Sequence, residues 1–135
     1  MSDSGYAHAA LITLLNVLLL VLCLYFVGRA RGKHGIKAPA TTGHPDFERA
    51  FRAHMNTVEQ TVMFLPSLWV ATVFGDAQAA MWLGYIWLAA RLWFLFGYLA
   101  EAGKRSYGFT IASLANVGLL GVGFWGMLPP LVRIG

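Results

Sequence analysis

Glu48, Arg49, Arg52, Asn56, Glu59 and Gln60 are spaced so that, at about 100° per residue, they fall within an arc of roughly 120° on one helical face. The positions around them are mostly Ala, Phe, Met and Val, so a stripe of charges and amides runs along an otherwise apolar segment. An ionisable group at membrane depth costs about 2.5–3.5 kcal/mol on insertion scales, which forbids the stripe from facing lipid. Arg91 and Tyr98, seven apart, share a face of a later segment, and Arg91 is placed to neutralise Glu59 or to reach the same cavity. Cations and amide donors outnumber what Glu59 alone can use, and Arg29, Arg31, Lys33, His34 and Lys37 stand close by in sequence. The whole mouth is electropositive and suits an anionic ligand. Interhelical Arg–Glu pairs that merely lock a bundle are the competing reading of the same residues.

His54 stands about 200° from Arg52 and shares a face with Ala50, Thr57 and Thr61, so it points into another interface, on a neighbouring helix or another subunit. Packing is the simpler role for a lone histidine there. No HxxxH, HExxH or Cys/His cluster occurs, so the spacing predicts no metal site. Cys23, the single cysteine, excludes a disulfide scaffold and reads as a packing residue. Gly-rich phosphate loops and the G-x-S-x-G elbow are absent from the sequence.

The elements that must position these residues follow from composition. Of 135 residues, 58% are hydrophobic and 12% charged, where soluble domains have about half and a quarter. This points to a membrane protein and excludes a disordered or collagen-like chain. The net charge of +4 is then read as loop charge that sets orientation, not as a nucleic-acid surface. At about 20 apolar residues per crossing, four spans fit, at about 6–27, 46–74, 77–100 and 107–132, in a single domain covering 1–135. The first lacks a basic leader and a small-x-small cleavage site, so it reads as a retained span. A polar loop is expected over Gly28 to Gly43, with Thr41, Thr42 and Asp46 as cap candidates for the second helix and Pro45 in its first turn. Pro66 should kink that helix, and Pro129 and Pro130 should end the fourth. Gly118, Gly121, Gly123 and Gly126 offer flat surfaces for close packing. Arg29, Arg31, Lys33, Lys37, Lys104 and Arg105 fall on one side, so the positive-inside bias places both termini away from the cytoplasm. The fold class is an all-α four-helix membrane bundle.

The run Phe47-Glu48-Arg49-Ala50-Phe51-Arg52-Ala53-His54-Met55-Asn56-Thr57-Val58-Glu59 closely resembles the signature of the membrane-associated proteins in eicosanoid and glutathione metabolism. The likeness extends to Pro39–Gly43, to Phe64-Leu65-Pro66-Ser67-Leu68-Trp69, to Ala90-Arg91-Leu92-Trp93-Phe94 with Gly97-Tyr98, and to Arg105. It implies a homotrimer that holds glutathione between adjacent subunits near the cytoplasmic surface. The positions matching Arg52, Asn56, Glu59 and Tyr98 bind the tripeptide in such proteins, and a neighbouring subunit contributes those matching Arg31 and His54. The chemistry suits these types: arginines for carboxylates, Glu59 for the ammonium, Asn56 to donate and accept along the peptide.

The position matching Arg105 is the family's thiolate-stabilising arginine, and Ser106 is an alternative or auxiliary donor. A thiol of pKa about 8.5–9 is mostly protonated at neutral pH, and a guanidinium beside the sulfur favours the nucleophilic thiolate. The resemblance therefore implies a membrane glutathione transferase, with peroxidase activity as a further expectation. Its substrates would be lipophilic electrophiles or lipid hydroperoxides reached from the bilayer, in a bacterial inner membrane with the site towards the cytoplasm. Some relatives carry tyrosines where this chain has Gln60 and Phe94, which removes two hydroxyls. The alternative is a non-catalytic lipid-binding scaffold like the five-lipoxygenase-activating protein. That branch lacks the arginine and glutamate present here as Arg52 and Glu59.

Overall fold

A computed structural model describes residues 3–133. Four α-helices form an all-α bundle: α1 Asp3–His34, α2 Pro45–Phe74, α3 Ala77–Ala100 and α4 Ser106–Val132, with a short 3-10 helix, Ala102–Arg105, between the last two. The segments Asp3–His34, Ala77–Ala100 and Ala102–Val132 are long and apolar enough to cross a membrane. Helix α2, with its polar face, is outside that group, yet it packs against all three. Its 30 residues give a rod of about 45 Å, also long enough to cross.

The first helix is longer than the sequence suggested, because the expected polar loop from Gly28 is helical as far as His34. Arg29, Ala30, Arg31 and Lys33 are good helix formers, and cations in the last turn complement the helix dipole. The stop comes at Gly35, whose φ of 65° is left-handed. Beyond it the Ile36 N–H donates to the Arg31 carbonyl at 3.0 Å, the six-to-one bond of a Schellman cap. The N-cap of α2 is also not one of the expected residues. Pro45 at the first position forces its predecessor into extended backbone, so His44 (φ −154°) is the cap, and its Nδ1 accepts from the Asp46 N–H at 3.1 Å. The tight Gly75–Asp76 turn is as expected, with Asp76 accepting from the Gln78 and Ala79 N–H groups.

Helix α2 continues through Pro66, which has no N–H to give the Val62 carbonyl. The same holds for Pro129 and Pro130: α4 runs past them to Val132, since lost bonds so near a helix end cost little. The core centres on Phe64 and Trp87, stacked with centroids 3.8 Å apart, and on Ile12, Leu68, Phe94, Leu95 and Leu119, all fully buried. Trp87, with its whole side chain buried, belongs to this core and not to the lipid-facing surface.

Helix α4 lies against α3 through Gly108, where an added Cβ would sit 2.4 Å from the Phe94 nitrogen and 2.7 Å from the Ala90 carbonyl oxygen. Of the four glycines singled out for packing, Gly126 meets the end of α2 as closely, while a Cβ at Gly121 would meet nothing within 4 Å. Gly108→Ala should lower stability in detergent by about 1–3 kcal/mol, because backbone cannot yield to the methyl group. Gly121→Ala should raise it by up to about 1 kcal/mol through helix propensity. Thermal unfolding of both variants checks the contrast.

Candidate functional site

A cavity of about 650 Å³ opens at the junction of α2, α3, the 3-10 helix, the start of α4 and the α1–α2 loop. Its walls bring together Arg52, Asn56, Glu59, Tyr98, Arg105 and Ser106, which sequence spacing placed on three separate elements. One wall is the polar face of α2, where Arg52, Asn56 and Glu59 follow one another at near-full turns. The facing wall is Phe94 and Tyr98 from α3, continued by Arg105, Ser106, Phe109 and Thr110. Thr41 and Thr42 form the lip.

Arg91 lies behind this cavity, with no exposed surface at all. It does not pair with Glu59, as its sequence position allowed. Its Nη2 donates to Asn56 Oδ1 at 2.9 Å and to Thr57 Oγ1 at 2.7 Å. The Thr57 hydroxyl in turn donates to the Ala53 carbonyl at 2.8 Å, which leaves a lone pair for the guanidinium. The face of Phe94 lies 3.9 Å below the guanidinium carbon, and Nε and Nη1 have no hydrogen-bond partner among the described residues. A guanidinium only donates, so it must face the oxygen of the Asn56 amide. The two N–H bonds of that amide are thereby left for the cavity, and Asn56 becomes a fixed donor.

Arg105 reaches the cavity from a segment with no side-chain core of its own. All residues of the 3-10 helix are exposed, and the helix is held by its backbone. A Cβ at Gly97 would lie 2.5 Å from the Lys104 carbonyl oxygen, so the chain folds back over α3 only because residue 97 has no side chain. The Arg105 guanidinium donates to the Ala102 carbonyl and lies 5.2 Å from the Tyr98 ring centre. The Ser106 hydroxyl donates to the Gly103 carbonyl at 3.3 Å.

Four of the expected site residues do not line the cavity. Arg91 acts from behind it. Gln60 is half-buried beside the polar face, and His54, also half-buried, lies on the other side of α2. Arg31 donates to the Ala40 carbonyl at 2.8 Å and sits over the Phe47 ring at 4.6 Å, which fastens the loop to α2. Residues missed in sequence are Phe51, Met55, Phe109 and Thr110, together with the lip threonines. Each stands one or four positions from a residue that was singled out, so helical neighbourhood was the available signal.

The MAPEG family model matches residues 9–125. The chain belongs to the MAPEG family. An uncharacterized protein of Synechocystis sp. is 44% identical over 117 residues, covering 87% of this chain and 85% of that one. Microsomal glutathione S-transferase 2 of Bos taurus is 37% identical over 118 residues, covering 85% of this chain and 80% of that one. Leukotriene C4 synthase of Cavia porcellus is 42% identical over 99 residues, covering 73% of this chain and 66% of that enzyme. Membership agrees with the helical architecture and makes this an integral membrane protein.

Within this MAPEG frame, the amide orientation at Asn56 can be tested without any ligand. Asn56→Asp sets a carboxylate against a buried cation that has no anion, and charge-assisted bonds are roughly twice as strong as neutral ones. The variant should gain about 1–2 kcal/mol of stability, whereas Asn56→Ala should lose about 1–3 kcal/mol by stripping Arg91 of an acceptor. Thermal unfolding in detergent at neutral pH reads both.

Proposed function

We propose that the chain is an integral-membrane glutathione transferase that conjugates lipophilic electrophiles through a thiolate stabilised by Arg105. The observation that carries this reading is the cavity's set of uncommitted charges. Arg52 and Glu59 stand seven residues apart on α2, about 10 Å along its axis. That is about the reach of an extended tripeptide at 3.3–3.6 Å per residue. Glutathione has two carboxylates and one ammonium, and Arg52, Glu59 and the Asn56 amide offer the complementary set. Tyr98 closes the opposite side. The names of the relatives, a microsomal glutathione S-transferase and leukotriene C4 synthase, support the same ligand.

In this reading the sulfur of glutathione lies towards Arg105, which exchanges its bond to Ala102 for the thiolate. Ser106 donates as an auxiliary. The thiol proton leaves to water, and the thiolate attacks an electrophilic carbon delivered from the bilayer past Phe94, Phe109 and Thr110, forming the C–S bond as a halide departs with its electron pair or as a strained C–O bond opens and its oxygen takes up a proton. With a hydroperoxide the same thiolate attacks the terminal oxygen, the O–O bond breaks to release the alcohol after protonation, and a second glutathione converts the sulfenic acid to the disulfide and water. The protein acts as a homotrimer in which Arg31 and His54 of one subunit face the ligand of its neighbour, which accounts for their place outside the cavity. The cyanobacterial relative supports a bacterial inner membrane, with the basic mouth towards the cytoplasm.

A guanidinium beside the sulfur lowers the thiol pKa, so bound glutathione should titrate well below the usual 8.5–9. In Arg105→Ala the ultraviolet thiolate signal should appear only as pH rises towards that range. Turnover with a generic aromatic halide at pH 7 should fall about a hundredfold, equivalent to two pKa units, while glutathione affinity changes less than about threefold. Equal losses of turnover and affinity would remove Arg105 from this role. If millimolar glutathione gave the wild type no thermal stabilisation, the lipid-binding scaffold would replace the enzyme, since a ligand of the native state must stabilise it by mass action.

A further inference from the structure

His34 and His44 are ten residues apart, outside the spacing of familiar metal motifs, and the Schellman cap of α1 and the His44 cap of α2 bring them face to face. Their rings are stacked with centroids 3.6 Å apart and planes 14° from parallel. Both look towards one oxygen: His34 Nε2 lies 3.6 Å and His44 Nδ1 4.0 Å from Asp46 Oδ2. One ligand atom from each of the three residues falls within 4.8 Å of the others. The other carboxylate oxygen of Asp46 is taken by Arg49 Nη2, which turns Oδ2 to the imidazoles.

We propose that His34, His44 and Asp46 form a binding site for a zinc-class divalent cation, a clasp that ties the end of α1 to the start of α2. A tetrahedral ion with bonds of about 2.0–2.2 Å holds its ligand atoms roughly 3.3 Å apart. The two contacts to Asp46 therefore contract by less than about 1 Å. His34 is the mostly buried, fixed ligand, while the half-exposed His44 ring turns out of the stack so that both nitrogens face the ion. The His44 nitrogen then gives up its cap bond to the Asp46 N–H. Two imidazoles and one carboxylate favour Zn²⁺ or Co²⁺ over Ca²⁺ or Mg²⁺, which prefer all-oxygen shells. Water completes the shell on the exposed side. The Arg49 bond to Asp46 is the outer support that orients a ligating carboxylate.

The ion would close the loop 35–44, whose Thr41 and Thr42 form the lip of the cavity. Arg49 extends the connection, since its Nε donates to the Leu99 carbonyl at 3.4 Å, at the end of α3. The inference does not rest on glutathione as the ligand, and its test uses none.

The full chain, without an affinity tag of histidines and stripped of metal, is titrated in detergent with Co²⁺ and then Zn²⁺. The expected result is one saturable equivalent per chain, with the visible bands of tetrahedral Co²⁺ and displacement by Zn²⁺. His34→Gln and His44→Asn should each weaken binding at least about tenfold, a loss that even outer-shell changes reach. Asn at position 44 keeps an N-cap acceptor, so the metal-free melting temperature of that variant should be unchanged. His54→Gln should bind as the wild type does. Absence of a saturable equivalent, or binding unaltered in both clasp variants, would leave the histidines as a stack that only closes the loop and would overturn the proposal. Loss of binding in His54→Gln alone would move the ion elsewhere and overturn it equally.

Discussion

A guanidinium buried among apolar helices without a carboxylate is the constraint on which the rest of the site depends. Lipid offers no hydrogen bonds, so Arg91 must find acceptors inside the bundle. It finds Asn56 and Thr57 on α2 and the face of Phe94 on its own helix. Those contacts set how α2 meets α3, because the two helices cannot shift by a turn without orphaning the cation. They also decide which end of the Asn56 amide the cavity sees. One packing interaction thus fixes both a helix interface and the polarity of a wall.

The opposite wall is set by the absence of side chains. The 3-10 helix carries Lys104 and Arg105 with no core beneath them, and its path over Gly97 is open only to glycine. Immediately afterwards Gly108 lets α4 approach the α3 backbone at Phe94. The two contacts bracket Arg105 and bring it over Tyr98 at 5.2 Å. A cation on an exposed segment is normally mobile; here its backbone is pinned on both sides while the side chain keeps its freedom. That combination suits a residue that exchanges one partner for another.

Much of this was legible in the sequence, for identifiable reasons. The stripe from Arg52 to Glu59 obeys helical periodicity, and charges in an apolar chain have few places to go, so its position at a cavity followed from the cost of burying charge. The helix ends were harder. Glycines at 28 and 32 look like loop residues, but it is Gly35 that turns left-handed and ends the helix, and a pattern of residue types does not distinguish the three. His44 does not stand out as a cap because three commoner cap residues stand nearby, although the proline after it already requires extended backbone there. The partner of Arg91 was out of reach for another reason. Glu59 is the natural electrostatic choice, and only the rotation of α2 about its axis shows that Asn56 and Thr57 face α3 instead.

Among the described residues the ion pairs are Asp46 with Arg49 and Glu101 with Lys104, and Asp46 also faces the His34 and His44 rings. All of these lie at helix ends. Arg52, Glu59 and Arg105 take part in none of them, though they line one cavity. The chain could have neutralised them cheaply: a carboxylate four residues after Arg52 would make a helical pair, and Asn56 occupies that position. Placing an amide there instead keeps Arg52 free and gives Arg91 its acceptor. Leaving opposite charges about 10 Å apart on one face, with a fixed donor between them, stabilises nothing in the empty fold. In the function proposed above, that complementarity meets a ligand that carries both signs at a similar separation, and the cost of keeping these charges unpaired is recovered on binding.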